Sequence, residues 1–469
     1  MAARDHNIDG SRVRRAARLG GAAAGVAARE ATARAMLATG DGERRRAGAA
    51  RQQLKSARSL VKVFSGMRGA AMKVGQTLSA VDLGLVPEEL RPEFQEILAS
   101  LQQSAEPVSF RAVRGVIEED LDMKLGEAFA DFDSEPIAAA SIGQVHRATL
   151  RDEPGRVVAV KVQYPGIAEA IHADMQNLRL GLKLLAVIAP GIDTGAIAQE
   201  IRERITDELD YELEASNHRA IARVYRDHPF IVVPDVVTAL CRERVIVTDF
   251  VDGARFAAAR ELPADQRDRI GEILIRFYLN GPLRHRLLNG DPHPGNSLFL
   301  ADGRVAFIDF GFFKRLSDAE VTQLLASTRA TYRQDAQGLF DVIAGLGALP
   351  PDPRLAAPFL ASYTAIFGWL LTEERITVDG SMTAAMMRAY TEMRGLDGFD
   401  ALTLPAEHFV LMRGVMLLIG LMGQLQASGT FLDIAREWLL DEPPATELGV
   451  AEAEFFGGRY DYVTPEVVA

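Results

Sequence analysis

One cysteine, Cys241, in 469 residues excludes an internal disulfide framework and suits a reducing compartment. No Phe, Trp or Tyr precedes Phe64. The N-terminal stretch therefore has no aromatic face on which bases could stack, and no nucleic-acid partner is expected. Long apolar runs are scarce too. Residues 20–28 are apolar but short, and Arg18 and Arg29 bracket them, so a secretory signal is not expected. Residues 355–372 lack charge but contain Pro358, Ser362, Tyr363 and Thr364, and the run 414–425 is too short to cross a bilayer. Both are expected to be buried helices of a large helical lobe. No internal repeat is evident.

Charge is present but uneven. Residues 1–68 hold fifteen Arg or Lys against five acids, while the whole chain carries −12. Arg12, Arg14, Arg15, Arg18 and Arg44–Arg46 form a basic arm suited to anionic lipid, where each basic residue is attracted by roughly 1 kcal/mol. The expected location is cytoplasmic and peripherally membrane-associated.

The richest segment is Asn289-Gly290-Asp291-Pro292-His293-Pro294-Gly295-Asn296, followed by Asp309-Phe310-Gly311. Asp291 and Asn296 have the offset of Asp and Asn in the kinase loop H-R-D-x-x-x-x-N, and Asp309 begins a D-F-G element. Singly, Asp291-Pro292 reads as a tight turn and Asn296 as an Asx-turn. Together, in this order, they read as a phosphoryl-transfer site. Magnesium is a hard cation that takes carboxylate and amide oxygens, which makes Asp309 and Asn296 its candidate ligands. The phosphoryl group needs clamping and a positioned acceptor more than a protein nucleophile, which suits Asp291.

Upstream, Val158-Ala159-Val160-Lys161 matches the V-A-I-K strand whose Lys grips ATP phosphates. Before it, Ala138-Ala139-Ala140-Ser141-Ile142-Gly143-Gln144-Val145 lies on the template G-x-G-x-x-G-x-V. Ala138 and Ala140 replace the first two glycines, while Gly143 and Val145 keep their places. Cβ atoms at two of three glycine positions stiffen the loop and hold it away from phosphate, which argues against ordinary protein phosphorylation.

Four stretches resemble the UbiB (AarF, activity-of-bc-complex) family of atypical kinases. They are Lys73-Val74-Gly75-Gln76, the alanine-rich loop, Glu208-Leu209-Asp210-Tyr211-Glu212-Leu213-Glu214-Ala215, and the Asp291–Asn296 loop with Asp309. The resemblance implies an α+β, protein-kinase-like two-lobe fold with a helical N-terminal extension and a mostly helical C-terminal lobe. It further implies that Lys73 and Gln76 lie over the peptide-acceptor side, facing Glu208 and Asp210 as a gate. Glu214 would pair with Lys161. ATP and Mg2+ would be the cofactors, and the work would be ATP hydrolysis or small-molecule phosphorylation supporting isoprenoid quinone synthesis or membrane lipid handling, with quinone-biosynthesis proteins as partners. A nucleotide-binding pseudokinase scaffold and an ordinary protein kinase are the competing classes. The completeness of Lys161, Asp291, Asn296 and Asp309 argues against the former.

The expected order is a basic arm at 1–50, the helical extension at 51–130, a kinase-like lobe at 131–255 containing a helical insertion, a second lobe at 256–440, and a loose acidic tail at 441–469. Residues 232–234 and 245–250 are expected to resume the first lobe's sheet. The second of these stretches would be the linker to adenine, with Asp249 at its end. The acids 208, 210, 212 and 214 are expected within one helical stretch.

Overall fold

The computed structural model describes residues 108–171, 206, 208–345, 352–379, 382, 385 and 406–457. The basic arm, Lys73 and Gln76 lie outside the described residues. The described chain divides into two compact units. The first holds 108–155, 160–171, 206, 208–211 and 242–245, and the second holds the rest.

The first unit opens with helix α1 (Phe110–Leu121), whose buried Val113, Val116, Ile117 and Leu121 recur at helical spacing. It ends where Asp122 turns left-handed at φ 51°. Along the chain a five-stranded sheet is built from β1 (Phe129–Phe132), β2 (Ala138–Ala139), β3 (Gly143–Leu150), β4 (Val157–Gln163) and β6 (Val245–Asp249), of which 157–159 and 246–249 are counted with the second unit. The order is β1-β3-β4-β6, with β2 paired onto β3. Side chains alternate across a strand. Val158, Val160 and Val162 are each 0% exposed, so Lys161 falls on the opposite face of β4.

The acidic segment is not one helix. Residue 208 is helical, Leu209 and Asp210 break the helix, and α2 (Tyr211–Val224) starts afresh. Glu212 and Glu214 occupy its first turn, where carboxylates suit the helix dipole.

In the second unit, residues 232–234 do not resume the large sheet. Here β5 (Ile231–Val232) runs parallel to β9 (Val305–Phe307), which pairs antiparallel with β8 (Ser297–Phe299). A separate ribbon joins β7 (Leu287–Asn289) to β10 (Phe313–Arg315). The rest is mostly helical. It comprises α3 (Ala264–Ile275), a π-helical turn at Arg276–Asn280, α4 (Gly281–His285), α5 (Asp318–Tyr332), α6 (Ala336–Gly345), α7 (Ala356–Phe367), α8 (Ala406–Leu425), α9 (Phe431–Leu439) and α10 (Glu447–Phe456). Their apolar faces form one core that includes Phe307, Phe310, Phe359, Leu418, Leu432 and Trp438. The chain at 355–372 and 414–425 is buried there as expected, and no helix among the described residues is long and apolar enough to cross a membrane.

The acidic stretch from 442 is not loose at 447–456. Helix α10 delivers Glu452, 2% exposed, to the buried Arg276 at 2.7 Å. Glu437 of α9 and Glu272 of α3 bind the same guanidinium at 2.7 and 2.8 Å. These carboxylates hold Arg276 above its ordinary pKa even though burial pulls it down, while burial raises the Glu452 carboxyl.

Candidate functional site

The hairpin loops of the second unit bring together the residues with phosphoryl-transfer spacing. The segment between β7 and β8 carries Asp291 to Asn296, and the segment between β9 and β10 carries Asp309 to Gly311. Gly290 N–H donates to Phe312 O at 3.0 Å, and Ile308 N–H donates to Asn296 O at 3.1 Å, so backbone bonds lock the two segments together. Close approach demands a glycine at 290, where a Cβ would overlap the Phe312 ring.

Asn289 is the residue that motif spacing did not single out. Its amide Nδ2 donates to Asp309 O at 2.9 Å, and its Oδ1 accepts from Asp291 N–H at 3.1 Å. One buried side chain thus fixes both aspartates' backbones. Asn296 Nδ2 donates to Asp291 O at 3.1 Å and to Asp291 Oδ2 at 3.3 Å, joining the two ends of the loop. Asp309 Oδ1 accepts from Gly311 N–H at 3.1 Å. Below them Tyr278 is fully buried, and its phenol is pushed above its usual pKa by burial first and then by the Asp291 and Asp309 carboxylates.

Glu214, 4% exposed, comes to the same place from α2. A Cβ built on Gly311 would lie 3.6 Å from Glu214 Oε2 and 3.5 Å from Asp309 Oδ1. The His218 ring, one helical turn on, sits 4.5 Å from that of Phe310.

In the first unit, Ala138 pairs with Val145 and Ala139 with Gln144, so the alanine-rich loop is a hairpin. Ala140, Ser141, Ile142 and Gly143 make its turn, closed by Ala140 N–H donating to Gly143 O at 2.8 Å. A Cβ on Gly143 would collide with the Val162 carbonyl oxygen, which makes glycine obligatory there. Lys161 lies one residue away, its ammonium 5.0 Å from the centre of the Tyr211 ring. Gln163 donates to the carbonyls of Leu209 at 2.7 Å and Glu243 at 3.1 Å. The acidic motif is thereby fastened to the strand that carries Lys161. Glu208 accepts from Ser141, and Asp210 is exposed.

Asp249 ends β6. Its carboxylate accepts from Arg156 at 2.7 Å and its N–H donates to Asp235 O at 2.9 Å.

The donor chemistry fits Mg-ATP. Among the described residues no three of His, Cys, Asp and Glu gather to hold a metal unaided. Magnesium in phosphoryl-transfer sites is held by one or two carboxylates plus substrate phosphates, the role open to Asp309 and Asn296.

A sheet with a lysine on its third long strand, an acidic helix, and paired loops offering Asp, Asn and Asp-Phe-Gly define a protein-kinase-like fold. Residues 100–343 match the family described as ABC1 atypical kinase-like domain. The chain belongs to that family, as the UbiB resemblance implied. It is 33% identical over 312 residues to the rat protein "Atypical kinase COQ8B, mitochondrial", covering 66% of this chain and 58% of the relative. It is 32% identical over 316 residues to the Arabidopsis thaliana "Protein ACTIVITY OF BC1 COMPLEX KINASE 8, chloroplastic", covering 65% of this chain and 40% of the relative. The chain thus spans about half the length of these relatives. A solved Mycobacterium tuberculosis structure, described as the complex of Rv3197 with erythromycin, superposes with a TM-score of 0.58. It shares 30% identity and covers 83% of this chain and 97% of that one.

Proposed function

We propose that this protein is an atypical kinase-like ATPase that transfers the terminal phosphoryl group of Mg-ATP to water or a small acceptor. The observation that carries the reading is Asn289, which ties the Asp291–Asn296 loop to Asp309 through two hydrogen bonds. Such preorganisation is what a reaction dominated by positioning and charge stabilisation needs. Asp309 and Asn296 would hold magnesium, which when bound neutralises charge developing on the phosphate oxygens. Asp291, its carboxylate steadied by Asn296, would orient the attacking hydroxyl. In the first unit, Lys161 and the turn of Ala138–Ser141, Gly143 and Val145 would be the groups that meet nucleotide phosphate. Glu214, which lies beside Gly311, would steady the Asp-Phe-Gly turn, and Asp249 would border adenine.

Lys73 and Gln76 with Glu208 and Asp210 would restrict access to large acceptors, which favours small-molecule chemistry over protein phosphorylation. The biological role would be support of isoprenoid quinone biosynthesis or membrane lipid homeostasis, with anionic lipid as a peripheral partner through the basic arm. Phosphate release from ATP by the purified chain, with and without anionic vesicles, tests this. Magnesium-dependent turnover that falls at least a hundredfold in Asp291→Asn is expected. Turnover unaffected by that substitution would contradict the assignment.

A further inference from the structure

The alanine-rich turn is fastened within the first unit in two distinct ways. One is steric and backbone-based: Ile142 is buried, its carbonyl accepts from Tyr164 N–H at 2.9 Å, and Gly143 closes on Val162. These contacts would hold any tight turn. The other is a side-chain bond, in which Ser141 Oγ donates to Glu208 Oε2 at 3.1 Å across 67 residues of sequence.

That bond has an unusual chemical consequence. A turn that cradles phosphate presents donors to an anion. Here the anion met by the Ser141 hydroxyl is one of the protein's own carboxylates. Glu208 is half-buried, close to strand β4 through the Leu209–Gln163 bond.

We propose that Ser141 is a positioning residue that latches the alanine-rich turn to Glu208, so that this carboxylate acts as an internal anion competing with nucleotide phosphate at the turn. The inference rests on reading the turn as the phosphate-facing loop. Tether and charge are separable. Removing the hydroxyl frees the turn but leaves the negative charge in place. Neutralising the carboxylate as an amide keeps an oxygen acceptor for the hydroxyl but removes repulsion toward phosphate. A serine that only fills space would show no such division.

The test uses the full chain and its Ser141→Ala, Ser141→Thr and Glu208→Gln variants. Amide hydrogen exchange is followed in the peptide covering 137–145, and Mg-ATP and adenosine are titrated calorimetrically. Ser141→Ala should exchange at least tenfold faster in that peptide, and Ser141→Thr should remain near the parent rate. Glu208→Gln should keep the parent's protection and bind Mg-ATP several-fold more tightly, with adenosine unchanged because it carries no phosphate. Parent-like exchange in Ser141→Ala overturns the latch. Equal changes for ATP and adenosine in Glu208→Gln, or none for either, overturn the competing-anion role. If the parent chain binds no ATP, the proposed function fails and the anion role with it, while the exchange rates still decide the tether.

Discussion

The side-chain amide of Gln144 donates to Nε2 of His146 across 2.9 Å, and both residues are 0% exposed. The direction is fixed by the neighbours. His146 Nδ1 lies 2.8 Å from the carbonyl oxygen of Asp133, which only accepts, so Nδ1 carries the proton and Nε2 receives. The Gln144 oxygen in turn accepts from Val108 N–H at 3.2 Å. A single protonation state satisfies the whole chain, and it sits directly behind the alanine-rich turn.

Replacing Gln144 with leucine should therefore leave the Val108 N–H and His146 Nε2 without partners. Unsatisfied buried groups cost about 1–3 kcal/mol each. Urea unfolding should show a loss in that range, and an unchanged midpoint would show that the relay is dispensable.

Acid should weaken the fold through histidine. His228 and His285 are pulled to about 3 and about 4, in each case first by burial, and His146 is lowered by the same cause. Their folded values lie below the unfolded one, so the neutral form belongs to the native state. The stability they confer is complete above about pH 6.5 and is lost as the pH falls toward the folded values. His228 explains why: its Nδ1 accepts the Ile231 N–H at 3.0 Å and would repel it once protonated. Below pH 6.5 each should cost up to about 1.4 kcal/mol per pH unit. Urea melts at pH 7.5, 6.5 and 5.5 should show the decline and a shallower slope for His285→Gln. Equal stability at the three values would contradict it.

Glu452→Ala removes one of the carboxylates around a fully buried guanidinium. Breaking a buried pair from one side costs about 3–5 kcal/mol, far more than deleting a surface ion pair. Thermal unfolding should drop accordingly, whereas Arg304, paired with Asp302 on the surface, should tolerate Ala with little change.

Gly143→Ala drives a methyl into the Val162 carbonyl, next to Lys161. Overpacking of about 1–3 kcal/mol is expected, together with weaker nucleotide binding. A variant as stable as the parent and equal in affinity would show that the strand can yield.

The kinase-like fold and the family were legible in contiguous residues. The Asp291–Asn296 spacing, the D-F-G tripeptide and the alternating valines around Lys161 carry their meaning locally. What escaped depends on partners far apart in sequence. Asn289 acts on Asp309 twenty residues on, Gln163 on Leu209 after 46, and Arg276 on Glu452 after 176. Composition read residues beyond 442 as loose because one buried arginine cannot be seen from an acidic count. Strand β5 pairs with β9 and not with the large sheet, which the sequence does not reveal because a two-residue strand carries no pairing information of its own.

Asp309 is the proposed holder of magnesium for a bound nucleotide. Thermal stabilisation by ATP, measured with and without Mg2+ in the parent and in Asp309→Asn, tests it most directly. A ligand at a hundred times its Kd stabilises by about 2.7 kcal/mol. The parent should show a magnesium-dependent rise of that order, and the variant should lose at least a tenfold share of affinity, about 1.4 kcal/mol. An equal magnesium-dependent rise in both proteins would contradict the account.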